Sequence, residues 1–279
     1  MAALLFIPIL QLFIMGNKKY ISANKELWNK RVAIHVNSDF YDVLPFKSGK
    51  TSLNDIELKA LGNVKGKSLL HLQCHFGMDT LSWAREGARV TGIDFSQKAI
   101  ETAISLTEEI GHEAKFICSD VYDLPQNLSE KFDIVFTSYG VIGWLPDLDK
   151  WAAVISHFLN PEGVFFIAEF HPVLWMMDDD FTYLKHSYFN DEVIEINSKG
   201  SYADPHANIS GKEYGWNHSF NEIIGSLLKY DLQIIQFQEF PFSPYNCFNN
   251  TVKGADNMYR IKGLENMLPM VYSIKAIKK

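Results

Sequence analysis

Between Lys67 and about Ala168 the chain alternates short apolar runs with stretches whose apolar positions recur every three or four residues. The runs are too short for helices and read as strands buried on both faces, and the periodic stretches read as amphipathic helices. The pattern predicts strands at Ser68 to Gln73, Arg89 to Ile93, Ala114 to Cys118, Phe132 to Thr137 and Gly163 to Ala168. Between them it predicts helices at Asp79 to Glu86, at Gln97 to Ile110 (apolar at Ile100, Ala103, Ile104 and Leu106) and at roughly Asp147 to Leu159. Strands separated by helices of this length form βαβ units, so the expected class is α/β, with a mostly parallel sheet covered on both faces. Right-handed crossovers leave few topologies open.

The last third has a different texture. Val173 to Gly215 is rich in aromatic, Asp and His residues and has no clear period. Asn217 to Lys229 returns to a helical pattern, and Leu232 to Phe240 and Pro269 to Lys275 read as two further strands. The stretch at about 173–215 has too little periodicity for its own core, so we expect a lid insertion over the active-site edge. Residues 1–60 are expected to form an N-terminal segment with cap helices, and 61–279 the main domain. Ala2 to Ile14 is almost wholly apolar, broken only by Pro8 and Gln11, and is followed by Met15 and the polar run Gly16-Asn17-Lys18-Lys19. That run is too short to span a bilayer and lacks the preceding cation of a signal peptide. We expect the natural start at Met15; a membrane anchor and an extra packed helix are the competing readings.

Composition narrows the function. The 279 residues are 47% hydrophobic, ample for a large core. A formal charge of -7 without a basic stripe argues against nucleic acid as a partner. Cys74, Cys118 and Cys247 form no CxxC pair and are too few for a disulfide framework, which fits a reducing cytoplasm. The nine histidines are scattered without an HExxH pattern, so no metal site is expected.

The chemistry concentrates at Leu69-Leu70-His71-Leu72-Gln73-Cys74-His75-Phe76-Gly77-Met78-Asp79, a strand running through a tight loop into a helix. Such a loop passes close to a ligand, and the next helix offers unpaired N–H groups. Gly77 is expected to remove a Cβ that would block the approach. A pyrophosphate loop would read G-x-G-x-x-G, and only one glycine stands here, which suits a ligand without phosphate. Asp94 ends the second strand in Val90-Thr91-Gly92-Ile93-Asp94-Phe95-Ser96, where a carboxylate can accept from both ribose hydroxyls, while Ser96 caps the following helix. Asp120 ends the third strand, where it can accept from an adenine amino group with Val121 packed on the ring; a turn or cap role is its alternative. At the carboxyl ends of three successive strands these signals mark one crevice.

With those residues in place, Gly66 through Glu169 resembles the class I S-adenosylmethionine-dependent methyltransferase family. The motifs are Leu69 to Gly77, Val90 to Ser96, Phe132-Asp133-Ile134-Val135, and Leu159-Asn160-Pro161-Glu162-Gly163, in which Glu162 replaces the first glycine of an L-x-P-G-G turn. The resemblance implies a Rossmann-like three-layer sandwich whose seven-stranded sheet has its last strand antiparallel between strands five and six. It also implies S-adenosylmethionine as cofactor, S-adenosylhomocysteine as product, and a cofactor site at Gln73, Cys74, His75, Gly77, Asp94, Phe95, Asp120, Val121 and Tyr139. The chain departs from the usual E/D-x-G-x-G-x-G loop: Gln73 stands at the acid, and His75 and Phe76 fill space normally left to small residues.

The acceptor should approach over strands four and five. There Tyr139 faces the sulfonium or packs under a lid, and both readings stay open. His171, closing the fifth strand, is the candidate general base, with Glu169 orienting it or binding the acceptor; His218 is a second candidate. For any lone histidine a structural role competes. His35, Phe40 and Tyr41 lie in a segment that could fold over the cofactor. The aromatic insertion (Trp175, Phe181, Tyr183, Tyr188, Phe189, Tyr202, Trp216) suggests an apolar pocket for a small-molecule acceptor, with no nucleic acid or membrane partner. The alternatives are a catalytically impaired methyltransferase fold serving as a binding or regulatory protein, and an NAD-dependent oxidoreductase, which the glycine-poor loop disfavours.

Overall fold

The computed structural model describes residues 9–279, with side chains from residue 18 onward, so the expectation for Ala2 to Ile14 lies largely outside the described residues. In chain order the elements are α1 (Ile9–Val36), α2 (Val43–Lys47), α3 (Asp55–Leu61), β1 (Ser68–Leu72), α4 (Met78–Arg85), β2 (Arg89–Asp94), α5 (Gln97–Ile110), β3 (Lys115–Cys118) and α6 (Leu124–Asn127). They continue with β4 (Phe132–Thr137), α7 (Leu148–Phe158), β5 (Leu159–Phe170), β6 (Ile194–Lys199), β7 (Ser210–Gly215), α8 (Phe220–Lys229), β8 (Leu232–Phe240), β9 (Thr251–Lys253), β10 (Tyr259–Ile261) and β11 (Val271–Lys278).

Seven strands make one sheet in the order β3-β2-β1-β4-β5-β11-β8. The first five positions are parallel, and β11 lies antiparallel to both neighbours, pairing Val271 with Phe170 on one side and Phe240 on the other. This is the expected Rossmann-like sheet with its antiparallel last strand.

Side chains of period two on the buried strands divide between two cores. Leu70, Leu72, Val135, Phe165 and Ile167 face Trp151 and Ile155 of α7 and Ile223 and Leu227 of α8. Leu69, Ile134, Phe136, Phe166 and Ala168 face Trp83 of α4, Leu53 and Val64. The covering helices begin where the sequence supplies a cap: Ser96 Oγ accepts from Ala99 N at 3.1 Å and Asp147 Oδ1 from Lys150 N at 3.0 Å. Glu162 takes the left-handed backbone, φ 61°, at the turn position where the family pattern has glycine.

Two short hairpins, β6–β7 and β9–β10, lie outside the main sheet. Neither is legible from period: β7 reads Ser-Gly-Lys-Glu-Tyr-Gly, with Tyr214 its one large apolar residue. It is held instead by α1, whose Asn24 donates Nδ2–H to the Tyr214 carbonyl at 2.7 Å and accepts the Tyr214 N–H at 2.9 Å. The predicted lid stretch therefore contains ordered strand, clamped by the N-terminal helix.

Candidate functional site

The loops that leave the carboxyl ends of β1, β2, β3 and β4 converge on a cavity of about 1040 Å³. Gln73, Cys74, His75, Gly77, Asp94, Phe95, Asp120, Val121 and Tyr139 all line it. The geometry thus brings together every residue the sequence singled out for the cofactor.

The loop after β1 is wound by three left-handed residues, Gln73 at φ 56°, His75 at φ 50° and Gly77 at φ 81°. Histidine enters this region more readily than most side chains, so His75 holds the backbone shape of the glycine it replaces. Gly77 is required for a reason other than the expected one. A Cβ there would lie 2.6 Å from the Phe116 ring of β3, so its bareness serves helix-to-sheet packing and the positive φ, not room for a ligand.

Asp94 is buried and fixed through both oxygens: Oδ2 accepts the His75 N–H at 2.9 Å and Oδ1 the Ser96 N–H at 2.8 Å. Burial raises its pKa to about 6, against those two hydrogen bonds and nearby Lys25. Each oxygen keeps a lone pair for a donor from the cavity. Asp120 Oδ1 accepts the Tyr122 N–H at 2.9 Å, and burial pushes this carboxyl upward too. Its cap role and its place in the cavity wall are therefore compatible. Gln73 donates Nε2–H to the Val141 carbonyl at 3.0 Å, while its Oε1 is buried with no hydrogen-bond partner among the described residues.

One wall is a cap the sequence only hinted at. Trp28, Phe40 and Tyr41 line the cavity, and His35 stands behind them, its Nδ1 2.9 Å from His75 Nε2 and its Nε2 2.6 Å from Ser201 Oγ. Burial and Arg31 lower the His35 pKa to about 3, so the imidazole pair is neutral. Arg31 extends the bridge to Ser198 Oγ at 3.0 Å and Glu213 Oε2 at 2.5 Å on the hairpin.

The acceptor-side expectations divide. Tyr139 lines the cavity, 5.1 Å from the Tyr245 ring and 5.9 Å from Phe170. His171 does not line it: the ring is buried, Nε2 meets Glu239 Oε1 at 2.8 Å, and Nδ1 accepts the Val173 N–H at 3.3 Å. With both nitrogens occupied outside the cavity it has no route to a substrate proton. His218 is likewise buried, Nε2 on the Leu145 carbonyl at 2.9 Å. Its Nδ1 lies 3.0 Å from Glu222 Oε2 in a direction that makes no hydrogen bond. Glu169 does not orient His171; it lines the cavity and accepts N–H groups of Gly140, Val141, Ile142 and Phe170 at 2.5–3.1 Å, which shapes the loop after β4.

Asp79, at the end of the stretch that runs from β1 into α4, also lines the wall, with Ser52, Tyr202 and Tyr245 from segments without a motif. Asp79 Oδ1 accepts from Ser52 Oγ at 2.6 Å, and burial raises its pKa. A polar residue directly after Gly77-Met78 at a helix start was the available signal for Asp79; nothing local marks Tyr245.

Residues 69–163 match the model of a methyltransferase domain family. Over 126 residues the chain is 32% identical to the ubiquinone biosynthesis O-methyltransferase of Actinobacillus pleuropneumoniae serotype 5b, covering 44% of this chain and 53% of that one. The chain thus spans about half the length of the curated relatives it matches. Its fold is similar to that of an S-adenosylmethionine-dependent methyltransferase from Clostridium acetobutylicum, with a TM-score of 0.57, 15% identity, and coverage of 89% of this chain and 95% of that one. It is also similar to geranyl diphosphate C-methyltransferase from Streptomyces coelicolor, solved with S-adenosylhomocysteine, at a TM-score of 0.52, 13% identity, and coverage of 81% and 78%. The resemblance read from the motifs is borne out.

Proposed function

We propose that this chain, which carries a class I S-adenosylmethionine-dependent methyltransferase domain, transfers the cofactor's methyl group to a small-molecule acceptor held in the aromatic half of its cavity. One observation carries the reading: an orphaned buried acceptor, Gln73 Oε1, and the carboxylates of Asp94 and Asp120 border the same space. They fit the cofactor's donors in chain order. Gln73 would hold the α-ammonium, Asp94 the ribose hydroxyls, and Asp120 the adenine amino group, with Val121 and Phe95 packed on the base. The acidic wall, Asp79 included, suits a ligand carrying positive charge on sulfur and nitrogen.

The bound cofactor supplies an electrophilic methyl group. The protein's part is alignment and exclusion of water. Glu169 fixes the loop that presents Tyr139, and Tyr139, Phe170, Trp175 and Tyr245 wall the acceptor's side. α1 and the β6–β7 hairpin, bridged through His35 and Arg31, close the top as the lid. A cytoplasmic location belongs to the same reading; among the described residues no helix is long and apolar enough to cross a membrane.

Calorimetric titration with S-adenosylhomocysteine, with NAD as control, tests the proposal. Micromolar binding of the former alone supports it. Binding of NAD alone would make the chain an oxidoreductase, and binding of neither would favour the regulatory reading, in which His75 and Phe76 close the loop.

A further inference from the structure

Glu57 is fully buried, and no cation among the described residues lies beside it. Part of its role is ordinary: in a capping box at the start of α3, its Oε1 accepts the Asn54 N–H at 2.7 Å and Asn54 Nδ2 at 3.2 Å. A cap needs only that oxygen. The other, Oε2, accepts the hydroxyl of Tyr139 at 3.0 Å, and Tyr139 lines the cavity. A carboxylate taken wholly out of water is costly unless paired, and Glu57 is paired only with neutral donors.

We propose that Glu57, acting through Tyr139, takes up the proton that a hydroxyl acceptor surrenders as it is methylated. The inference rests on the methyl-transfer reading above and names its acceptor class. As the acceptor oxygen bonds the methyl carbon, the carbon–sulfur bond breaks and its electron pair stays on sulfur. The acceptor's proton passes to Tyr139 Oη, and the proton of Tyr139 passes to Glu57 Oε2. The products are a methyl ether, the thioether and a neutral Glu57, which returns its proton to water when the cavity opens. An amine attacks with a free lone pair and can shed its proton afterwards, whereas a hydroxyl oxygen stays a weak nucleophile until its proton leaves. A relay at this place therefore points to an O–H, and the aromatic wall of Tyr139, Tyr245 and Phe170 to a phenolic one.

The surroundings agree. The charged or titratable groups facing Glu57 are Asp79 from α4, Tyr139 after β4 and Tyr245 beyond β8, all acids. Lys59 and Lys275, on and beside α3, are engaged by Asp55 Oδ2 and the Ala60 carbonyl. Burial, with Asp79 adding to it, raises the Glu57 pKa to about 7, where a group can both accept and release a proton at neutral pH.

The test uses the full chain with S-adenosylmethionine and a panel of simple phenols, catechols and primary amines, following S-adenosylhomocysteine release against pH. Wild type, Glu57→Gln, Tyr139→Phe and the double variant are compared, and S-adenosylhomocysteine binding is measured for each. The expected result is turnover of phenols, with kcat rising through about pH 7 as Glu57 ionises. Each single variant should lose about a hundredfold in kcat and that inflection, and lose little more when combined, while Glu57→Gln keeps its cofactor affinity. Glu57→Gln keeps the cap acceptor, so a folded, cofactor-binding variant with unchanged kcat and pH profile would overturn the relay. So would turnover of amines alone, or no phenol turnover in a protein that binds S-adenosylhomocysteine. Failure of wild type to bind S-adenosylhomocysteine sinks the methyl-transfer reading itself.

Discussion

The His75 N–H donates to Asp94 Oδ2 at 2.9 Å, which ties the loop after β1 to the end of β2. Asp94 is therefore a structural clamp as well as a ligand candidate, and its removal has two consequences. Asp94→Ala orphans the His75 and Ser96 N–H groups, at about 1–3 kcal/mol for the pair once water partly refills the site. It also deletes the ribose acceptor, so S-adenosylhomocysteine affinity should fall by about a hundredfold or more. Asp94→Asn should lose affinity with a smaller stability cost. Calorimetry and thermal unfolding measure the two effects, and unchanged affinity in either variant removes Asp94 from the site.

The same carboxyl sets a pH dependence. Its pKa of about 6 in the ligand-free protein lies above the ordinary aspartate value, so it gains a proton as pH falls through about 6. The neutral form has lost acceptor capacity while both backbone donors still claim its oxygens. Affinity for S-adenosylhomocysteine should be flat above about pH 7 and weaken by roughly tenfold per pH unit well below 6. Asp94→Asn should flatten that dependence. A wild-type affinity constant down to about pH 5 would contradict it.

The contrast between what was and was not legible has a physical basis. β1, β4 and β5 are largely buried on both faces, so each carries a continuous apolar run, and the order of the parallel strands follows from βαβ connection. Asp94 and Asp120 were readable because such a fold places strand ends at one crevice. The β6–β7 hairpin was not, since β6 and β7 are mostly polar and depend on Asn24 and Arg31 from nearly two hundred residues away. His171 misled for a related reason. Its position at the end of β5 is local, but the partner that turns its ring away, Glu239 on β8, is distant in sequence. Glu57 had no motif to announce it, because its capping role is ordinary and only its burial against Tyr139 is not.

His171→Ala is accordingly expected to act on stability. The variant loses the Glu239 bond and leaves the Val173 N–H without its cap, which should cost about 1–3 kcal/mol. Cofactor affinity and kcat should stay at wild-type values once the protein is assayed below its unfolding range. A large kcat loss in a stably folded variant would restore His171 as a base.

Glu57 makes a separable prediction about folding. Its carboxyl holds a proton to about pH 7 in the native state and to about 4.5 when unfolded. Between those values the native state binds more protons, so stability is highest below about pH 4.5 as far as this group is concerned and falls as pH rises to about 7. The loss amounts to something on the order of 3 kcal/mol for so buried a group. Asp94 and Asp120 shift in the same direction, so the wild-type slope alone does not isolate Glu57. The difference between wild type and Glu57→Gln does, because the amide keeps the Asn54 cap and carries no charge. Urea unfolding from about pH 5 to pH 8 should show Glu57→Gln gaining on wild type as pH rises, with most of the gain in place by about pH 7. Parallel stability curves across that range would mean that Glu57 is not held neutral by its burial, and the carboxylate would then have to be solvated in a way the closed α3–Tyr139 contact does not allow.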